Sequence, residues 1–392
     1  MKRALVLPVL SVTTISLVCL ATLWYGSTRG NFASGVSWLS AKPRRIPRPA
    51  TGRQQVVNFK EELPGLTVPE NESKSIPLGP QNVQENSLQK VLTSLVPDGS
   101  HKDVNINTRS SRFLYLSQTE SCLPIELQSV EIIGNTSACQ CDVLVLSYKQ
   151  ACGKTPPKHV QYLFNSSTSW ASGRNLLYKE AKKRGNVYLY YIFIDDDIGL
   201  RTKAHDANPW RQFEQFLKEI EPAVAAVDTD TNGMVQQTLA GRKQKKCSLK
   251  QISDYVPVAR FDPAFNAYHY EAAEYLLPYT TRYDKTSWWY PDLYFEVKCE
   301  LMFAGQTVIH TQVTATNPKH RPYPRGNPSV SQWATLVKQV AAELPEQYRN
   351  VSLLSEWKSD GIDHRRKSST LCLPPPPPHM SIRPFAYLDG KI

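Results

Sequence analysis

The sequence predicts an α/β domain, a mainly parallel sheet flanked by helices, that follows a transmembrane helix and a disordered stem. Three observations predict it. Residues Tyr188 to Ile194 are apolar or aromatic without alternation, as in a strand buried on both faces. That run ends on Asp195, Asp196 and Asp197, and ligands of open α/β sheets gather at the carboxyl ends of strands. Strand-like and helix-like segments alternate on both sides of the triplet.

The amino-terminal part reads differently. Lys2 and Arg3 precede an apolar run from Ala4 to about Trp24, enough for a bilayer core, which takes ~20 helical residues. Positive charge before the span and a large domain after it put the amino terminus in the cytosol, the type II arrangement. A cleaved signal peptide is the alternative, but its apolar region is only ~7–15 residues long, and Trp24 and Tyr25 suit an interfacial anchor. Residues 1–25 are thus a cytoplasmic tip and anchor. Residues 26–110 form a stem rich in Pro, Ser, Asn, Gln and charge, including Lys42, Arg44, Arg45, Arg48 and Arg53. Such a segment buries too little surface to offset its ordering entropy.

The net charge of +11 favours anionic partners of several kinds. Without an RNP, zinc-finger or helix-turn-helix pattern, nucleic acid is not among the partners expected. Asn71, Asn135, Asn165 and Asn350 stand in Asn-x-Ser/Thr acceptors, in keeping with a lumenal domain. Besides Cys19 in the span there are Cys122, Cys139, Cys141, Cys152, Cys247, Cys299 and Cys372. In an oxidising lumen most of these pair, leaving one free or bridging to a second chain as a disulfide-linked dimer. Cys139 and Cys141 lack a second matching pair and histidine partners, so disulfides are expected there rather than a metal.

Order is expected from about Arg112, and the domain spans 111–392. Asp142–Tyr148 and Val160–Phe164 are short strands, and Ser172–Arg184 is an amphipathic helix with Leu176, Leu177 and Ala181 inward. After the triplet, Pro209–Ile220 is a helix carrying Trp210, Phe213, Phe216 and Leu217, and Ala223–Val227 is a strand. Asn232–Lys250 is polar and basic and reads as a mobile loop. Val258–Pro278 gives a strand, a turn and a helix, followed by an aromatic loop through Trp288 and Trp289. Val308–Thr316 is a strand, Ser331–Leu344 a helix, and Pro374–Pro378 a polyproline II segment that either wraps the domain or stays mobile.

Three clustered carboxylates repel one another unless a cation or positive side chains share the site. On extended backbone Asp195 and Asp197 point to one side, where they suit a hard divalent metal, with Asp196 turned elsewhere. A hydrophobic strand ending in Asp-x-Asp resembles the metal-binding motif of GT-A glycosyltransferases, which use nucleotide-sugar donors. Gly173-Arg174-Asn175, before that strand, is similar to the sequence near the nucleotide in the same family. The layout resembles that family from about Arg112 to Glu343, and also poorly characterised glycosyltransferase-like families.

The resemblance implies a GT-A-like fold in a single-pass type II protein of the Golgi membrane, with Mn²⁺ or Mg²⁺ on Asp195 and Asp197. It gives no third metal ligand, for which His310 or His320 is a candidate. Arg174, Asn175 and Asp196 would meet the nucleotide sugar, Arg174 suiting a diphosphate through its planar fork. Trp288 and Trp289 would hold a glycan or glycoprotein acceptor. Asp292, three residues after Trp289 and just after Pro291, is the candidate catalytic base. Asp284 reads as a surface turn residue and Glu296 as part of the next element. Two other readings remain open: a membrane-anchored lectin-like pseudoenzyme, and a phosphatase with an aspartate nucleophile. The phosphatase wants a small hydroxyl residue soon after the motif, where Ile198-Gly199-Leu200 stands.

Overall fold

The computed structural model describes residues 112–184, 188–204, 206–230, 233–247, 254–317, 324, 326, 329–360 and 372–391. The expected span, the stem, Asn71 and His320 lie outside them. Among the described residues no helix is long and apolar enough to cross a membrane.

The elements in order are β1 (Phe113–Thr119), α1 (Thr136–Cys139), β2 (Cys141–Ser147), β3 (Val160–Phe164), α2 (Trp170–Lys183), β4 (Tyr190–Asp195), β5 (Gly199–Thr202) and α3 (Pro209–Ile220). Then come β6 (Val224–Thr229), α4 (Met234–Gln244), β7 (Tyr255–Pro257), β8 (Phe265–His269), α5 (Tyr270–Leu276), α6 (Trp289–Phe303), β9 (Thr307–Thr316), α7 (Val330–Glu343) and α8 (Ser352–Asp360). The strands form one sheet in the order β3-β2-β1-β4-β8-β6-β9-β5, with β7 also on β9. Strands β1 to β4, β6 and β9 run one way, while β5, β7 and β8 oppose them. The architecture is mixed α/β with a mostly parallel sheet flanked by helices.

Both faces of the sheet are covered, which is why the central strands carry apolar residues at consecutive positions. Leu114, Leu116, Phe193 and Tyr268 face one core with α2, α6 and α7. Phe113, Tyr115, Ile192 and Ile194 face the other, where α3 supplies Phe213 and Leu217. Asn208 caps α3 by accepting the N–H of Trp210 at 2.9 Å, with Pro209 in the first turn, where a missing N–H costs nothing.

Several expectations are corrected. The polar stretch at 232–250 contains α4, capped by Asp228, whose carboxylate accepts the Met234 N–H at 3.0 Å. The strand expected from Val258 starts at Phe265. The aromatic loop ends early, because Trp289 opens α6, and every residue from Tyr290 to Phe303 is buried. Cys122–Cys152, Cys139–Cys141 and Cys247–Cys372 are disulfides. Among the described residues the unpaired cysteine is Cys299, 0% exposed inside α6, so this thiol is not placed to bridge to a second chain.

The proline-rich segment wraps the domain. Pro376 O accepts the Tyr255 hydroxyl at 2.7 Å, and the His379 N–H reaches Ile220 O at 3.0 Å. Further on, Gln306 exchanges two hydrogen bonds with the Arg383 backbone, and Phe385 stacks on Tyr348 at 4.0 Å.

Two ionisable groups are enclosed on the α3 side. Glu214 accepts the Tyr115 hydroxyl at 2.6 Å and lies 3.0 Å from Arg211, yet burial pushes its carboxyl up to about 7. His310 stacks on Phe216 at 4.5 Å, and burial pulls it down to about 4. Their contributions to stability have opposite signs. That of Glu214 is present below the ordinary value of 4.5 and is lost as pH rises through about 7. That of His310 is present above 6.5 and is lost as pH falls through about 4. Glu214→Gln is expected to remove a pH-dependent loss of up to roughly 3 kcal/mol on the rising side, and His310→Gln a similar loss on the falling side. Denaturant midpoints measured across this range would check both, and variants that track the wild-type profile would contradict them.

Candidate functional site

The chain lays down β1, β2 and β3 in one direction and then returns to place β4 on the other side of β1. Ligands of doubly wound sheets bind at such a switch point, beyond the carboxyl ends of the strands. There Gln118 of β1 is in register with Asp195, the last residue of β4. Helix α2 starts at the same edge, capped by Ser169 in a reciprocal box with Ser172. Its Gly173 lets the helix press against β1, since a Cβ there would stand 1.7 Å from Gln118 Nε2. Gln118 Nε2 in turn donates to Ser169 O at 3.1 Å.

Arg174 sits at the centre, 2% exposed. Its Nη2 donates to Asp195 Oδ1 at 2.8 Å and to Pro263 O at 2.9 Å. Its guanidinium lies 4.1 Å from the Trp170 ring centroid and 5.2 Å from that of Phe193. Burial acts to lower its pKa, but the charge of Asp195, aided by Tyr279 and Tyr268, leaves it above the ordinary value. Its Nη1 is buried without a partner. Asn175, expected at the nucleotide, is committed elsewhere. It donates to Tyr279 O at 2.8 Å and accepts the Tyr279 N–H at 2.7 Å, which fastens the aromatic segment to α2.

The triplet keeps its place at the strand end but not the expected backbone. β4 stops at Asp195, and a turn follows in which the Ile198 N–H meets Asp195 O at 3.3 Å. Strand alternation therefore does not set the direction of Asp197. The Asp195 side chain is 33% exposed, and Asp196 and Asp197 are half-buried. Among the described residues no group of three or more His, Cys, Asp or Glu side chains is gathered as for a metal. His310 does not join the triplet. It lies on β9, with β8 and β6 between, ~14 Å away by strand spacing, and it faces the α3 core. Asp195, by contrast, turns to Arg174 on the α2 side.

Helix α6 passes through residues 304–306 into the start of β9, so its own start lies at the triplet's edge of the sheet. Trp288, Trp289 and Asp292 are all there. The two tryptophans are half-buried, and the Trp288 N–H donates to Pro324 O at 3.2 Å. Asp292 is 7% exposed in the first turn of α6, a helical position where a loop was expected. Asp284 is also buried and accepts the Ser169 hydroxyl, tying its segment to the cap of α2, so it is not a surface turn residue. Glu296 is enclosed within α6. Of the acceptor asparagines, Asn350 is exposed, while Asn135 and Asn165 are half-buried and each accepts a backbone N–H two residues on.

A cleft of about 500 Å³ opens on the other face, beside α3, with His310 in its wall. Its polar lining is mostly paired: Gln212 with Thr202, Gln215 with Glu219, Asp254 with Gln312. Arg211 Nε and His310 Nδ1 in its wall are buried without partners, so it is the clustered carboxylates at the end of β4 that favour the switch point instead. Sequence reasoning missed Gln118, Tyr279 and Asn266 there. Asn266 alone left a signal, as an amide between the apolar Phe265 and Ala267.

No family model matches the chain, and no curated protein matches it. Among solved structures, the chain is similar to S. aureus TarS 1-349 in complex with UDP-GlcNAc at a TM-score of 0.38 and 13% identity, over 63% of this chain and 71% of that one. It is also similar to A197 from STIV at a TM-score of 0.28 and 11% identity, over 55% and 95%. Likenesses this distant carry no argument about chemistry, which rests on the geometry above.

Arg174 and Asp195 are expected to be energetically coupled. A double-mutant cycle with Arg174→Met and Asp195→Asn, read by chemical denaturation, should give a coupling of ~1–2 kcal/mol, moderated by the exposure of Asp195. Additive effects would mean that the pair contributes nothing.

Proposed function

We propose that the chain is a glycosyltransferase, GT-A-like in fold, that moves a sugar from a nucleotide-sugar donor to a glycan or glycoprotein. The observation that carries this reading is the carboxylate triplet at the β1/β4 switch point, with the buried cation of Arg174 beside it. We further propose a single-pass type II Golgi membrane protein with its domain in the lumen and N-glycans among Asn71, Asn135, Asn165 and Asn350. The apolar run after Lys2 and Arg3 and the Asn-x-Ser/Thr acceptors support this.

The donor set at the triplet is all oxygen, which suits Mn²⁺ or Mg²⁺. Ions of this kind are commonly held by one or two carboxylates together with substrate phosphates, so three protein ligands are not required. With Asp195 Oδ1 on Arg174, Oδ2 and the carboxylates of Asp196 and Asp197 are the atoms for the ion. When bound, the metal offsets charge building on the departing diphosphate. Arg174 Nη1, buried and unpartnered, would donate to a diphosphate oxygen. Trp288 and Trp289 would offer apolar faces to the acceptor, and Asp292 would take the proton of its attacking hydroxyl.

A second reading has an observation of its own. Arg174 already answers part of the triplet's charge without a metal. That favours a lectin-like pseudoenzyme that binds sugar nucleotide or glycan and does no transfer. Titration of UDP and GDP with and without Mn²⁺ separates the two. The enzyme reading expects Mn²⁺-dependent binding that Asp195→Asn and Asp197→Asn abolish while the fold persists. It also expects Asp292→Asn to lower transfer by about 10²–10⁴-fold with donor affinity nearly unchanged. Metal-independent binding without sugar transfer would leave the lectin-like reading standing.

A further inference from the structure

Asn266 is the second residue of β8 and is 0% exposed, yet neither its amide nitrogen nor its amide oxygen has a hydrogen-bond partner. Buried side-chain amides are almost always paired, and one left with both ends unmet costs the free protein stability. Such a group calls for an explanation, and a partner brought by a ligand supplies one.

The direction of the side chain follows from the strand. Its neighbours Phe265 and Ala267 point into the α3 core, and Tyr268 into the α2/α6 core. Asn266 alternates with Phe265 and Ala267, so it points to the α2/α6 side. There it stands directly across from Phe193 of β4 and Ala226 of β6. Asp195 is two residues beyond Phe193, a diagonal neighbour ~7–8 Å away. Arg174, whose Nη1 is likewise buried and unpartnered, lies over the same Phe193 ring. Two unmet polar groups thus flank one aromatic ring beside the carboxylates.

The two groups differ in chemistry. Arg174 offers only donors, which suits the oxygens of a diphosphate. The Asn266 amide offers a donor and an acceptor side by side, which suits a group that can both give and take a hydrogen bond, such as a sugar hydroxyl. It also sits on the β8 side of the triplet, away from β1.

We infer that Asn266 is a specificity-determining residue that binds hydroxyl groups of the donor's sugar, next to the diphosphate held at Asp195 and Arg174. This rests on the reading of the site as one for nucleotide sugars. A buried amide that is met only by the correct hydroxyls rejects sugars lacking them, because the amide is then left unpaired.

The test compares full-length wild type with Asn266→Leu and Asn266→Val, using thermal unfolding and binding titrations with Mn²⁺. The probes are UDP, GDP, and panels of UDP-hexoses and GDP-hexoses. The variants should melt at the wild-type temperature or above it when unliganded, because they remove an amide that had no partner. They should bind UDP or GDP as the wild type does, and lose roughly 10–100-fold in affinity for the hexose conjugate the wild type prefers. Lower unliganded melting in both variants, or failure of both to fold, would show that the amide is satisfied in the free protein and would overturn the inference. So would an unchanged preference for the sugar conjugate. A wild type that binds none of the nucleotides would sink the nucleotide-sugar reading, and this inference with it. That result is distinct from one in which wild type and variants bind alike.

Discussion

Arg174 is a full positive charge removed from water, and the end of the sheet where β4 stops is arranged around answering it. A charge in such a place is tolerated only when several partners converge on it. Asp195 comes from β4, the Pro263 carbonyl from the segment entering β8, and ring faces from Trp170 and Phe193. Helix α2, the central strand and the entry to β8 are thereby positioned against one side chain. Asn175, one residue along the same helix, adds the backbone of Tyr279 to the set. The first turns of α2 thus hold in place the strand end on which the carboxylates stand.

The same arrangement tempers the electrostatics of the triplet. Three adjacent acids at a strand end repel one another, and a guanidinium on the first of them reduces that repulsion before any ligand arrives. The acids can then remain close together in the free protein, with the outer two in the turn that follows Asp195.

What was legible in the sequence follows from which signals are local. The buried run ending in three acids could be read directly, because both the apolar stretch and its abrupt end lie within a few residues. Helix α3 matched its expected span at both ends, as Asn208 and Pro209 open it and a clear apolar stripe runs along it. Helix α6 could not be recognised, because a helix buried on all sides has no stripe for a period to reveal. Helix α4 was hidden for the opposite reason, being polar, with its capping carboxylate back in the preceding strand at Asp228. The misplacement of His310 and Asn175 has a different source. Which face a strand residue takes, and what a helix-start amide reaches, depend on the order of strands and on loops distant in sequence. Asp284 was misjudged in the same way, since its partner Ser169 lies 115 residues earlier.

The carboxyl-terminal segment has a mechanical consequence. It is joined to Cys247 through Cys372, fastened at Ile220 where α3 gives way to β6, and fastened again at Gln306 where β9 begins. All the latter contacts lie along the edge of the sheet where the parallel strands start. The domain is therefore clamped like a plate held along one rim, with its free rim at the strand ends that carry the triplet. The strand starts are thus braced by a segment distant in sequence, and the contacts named here do not reach the strand end where Asp195 stands.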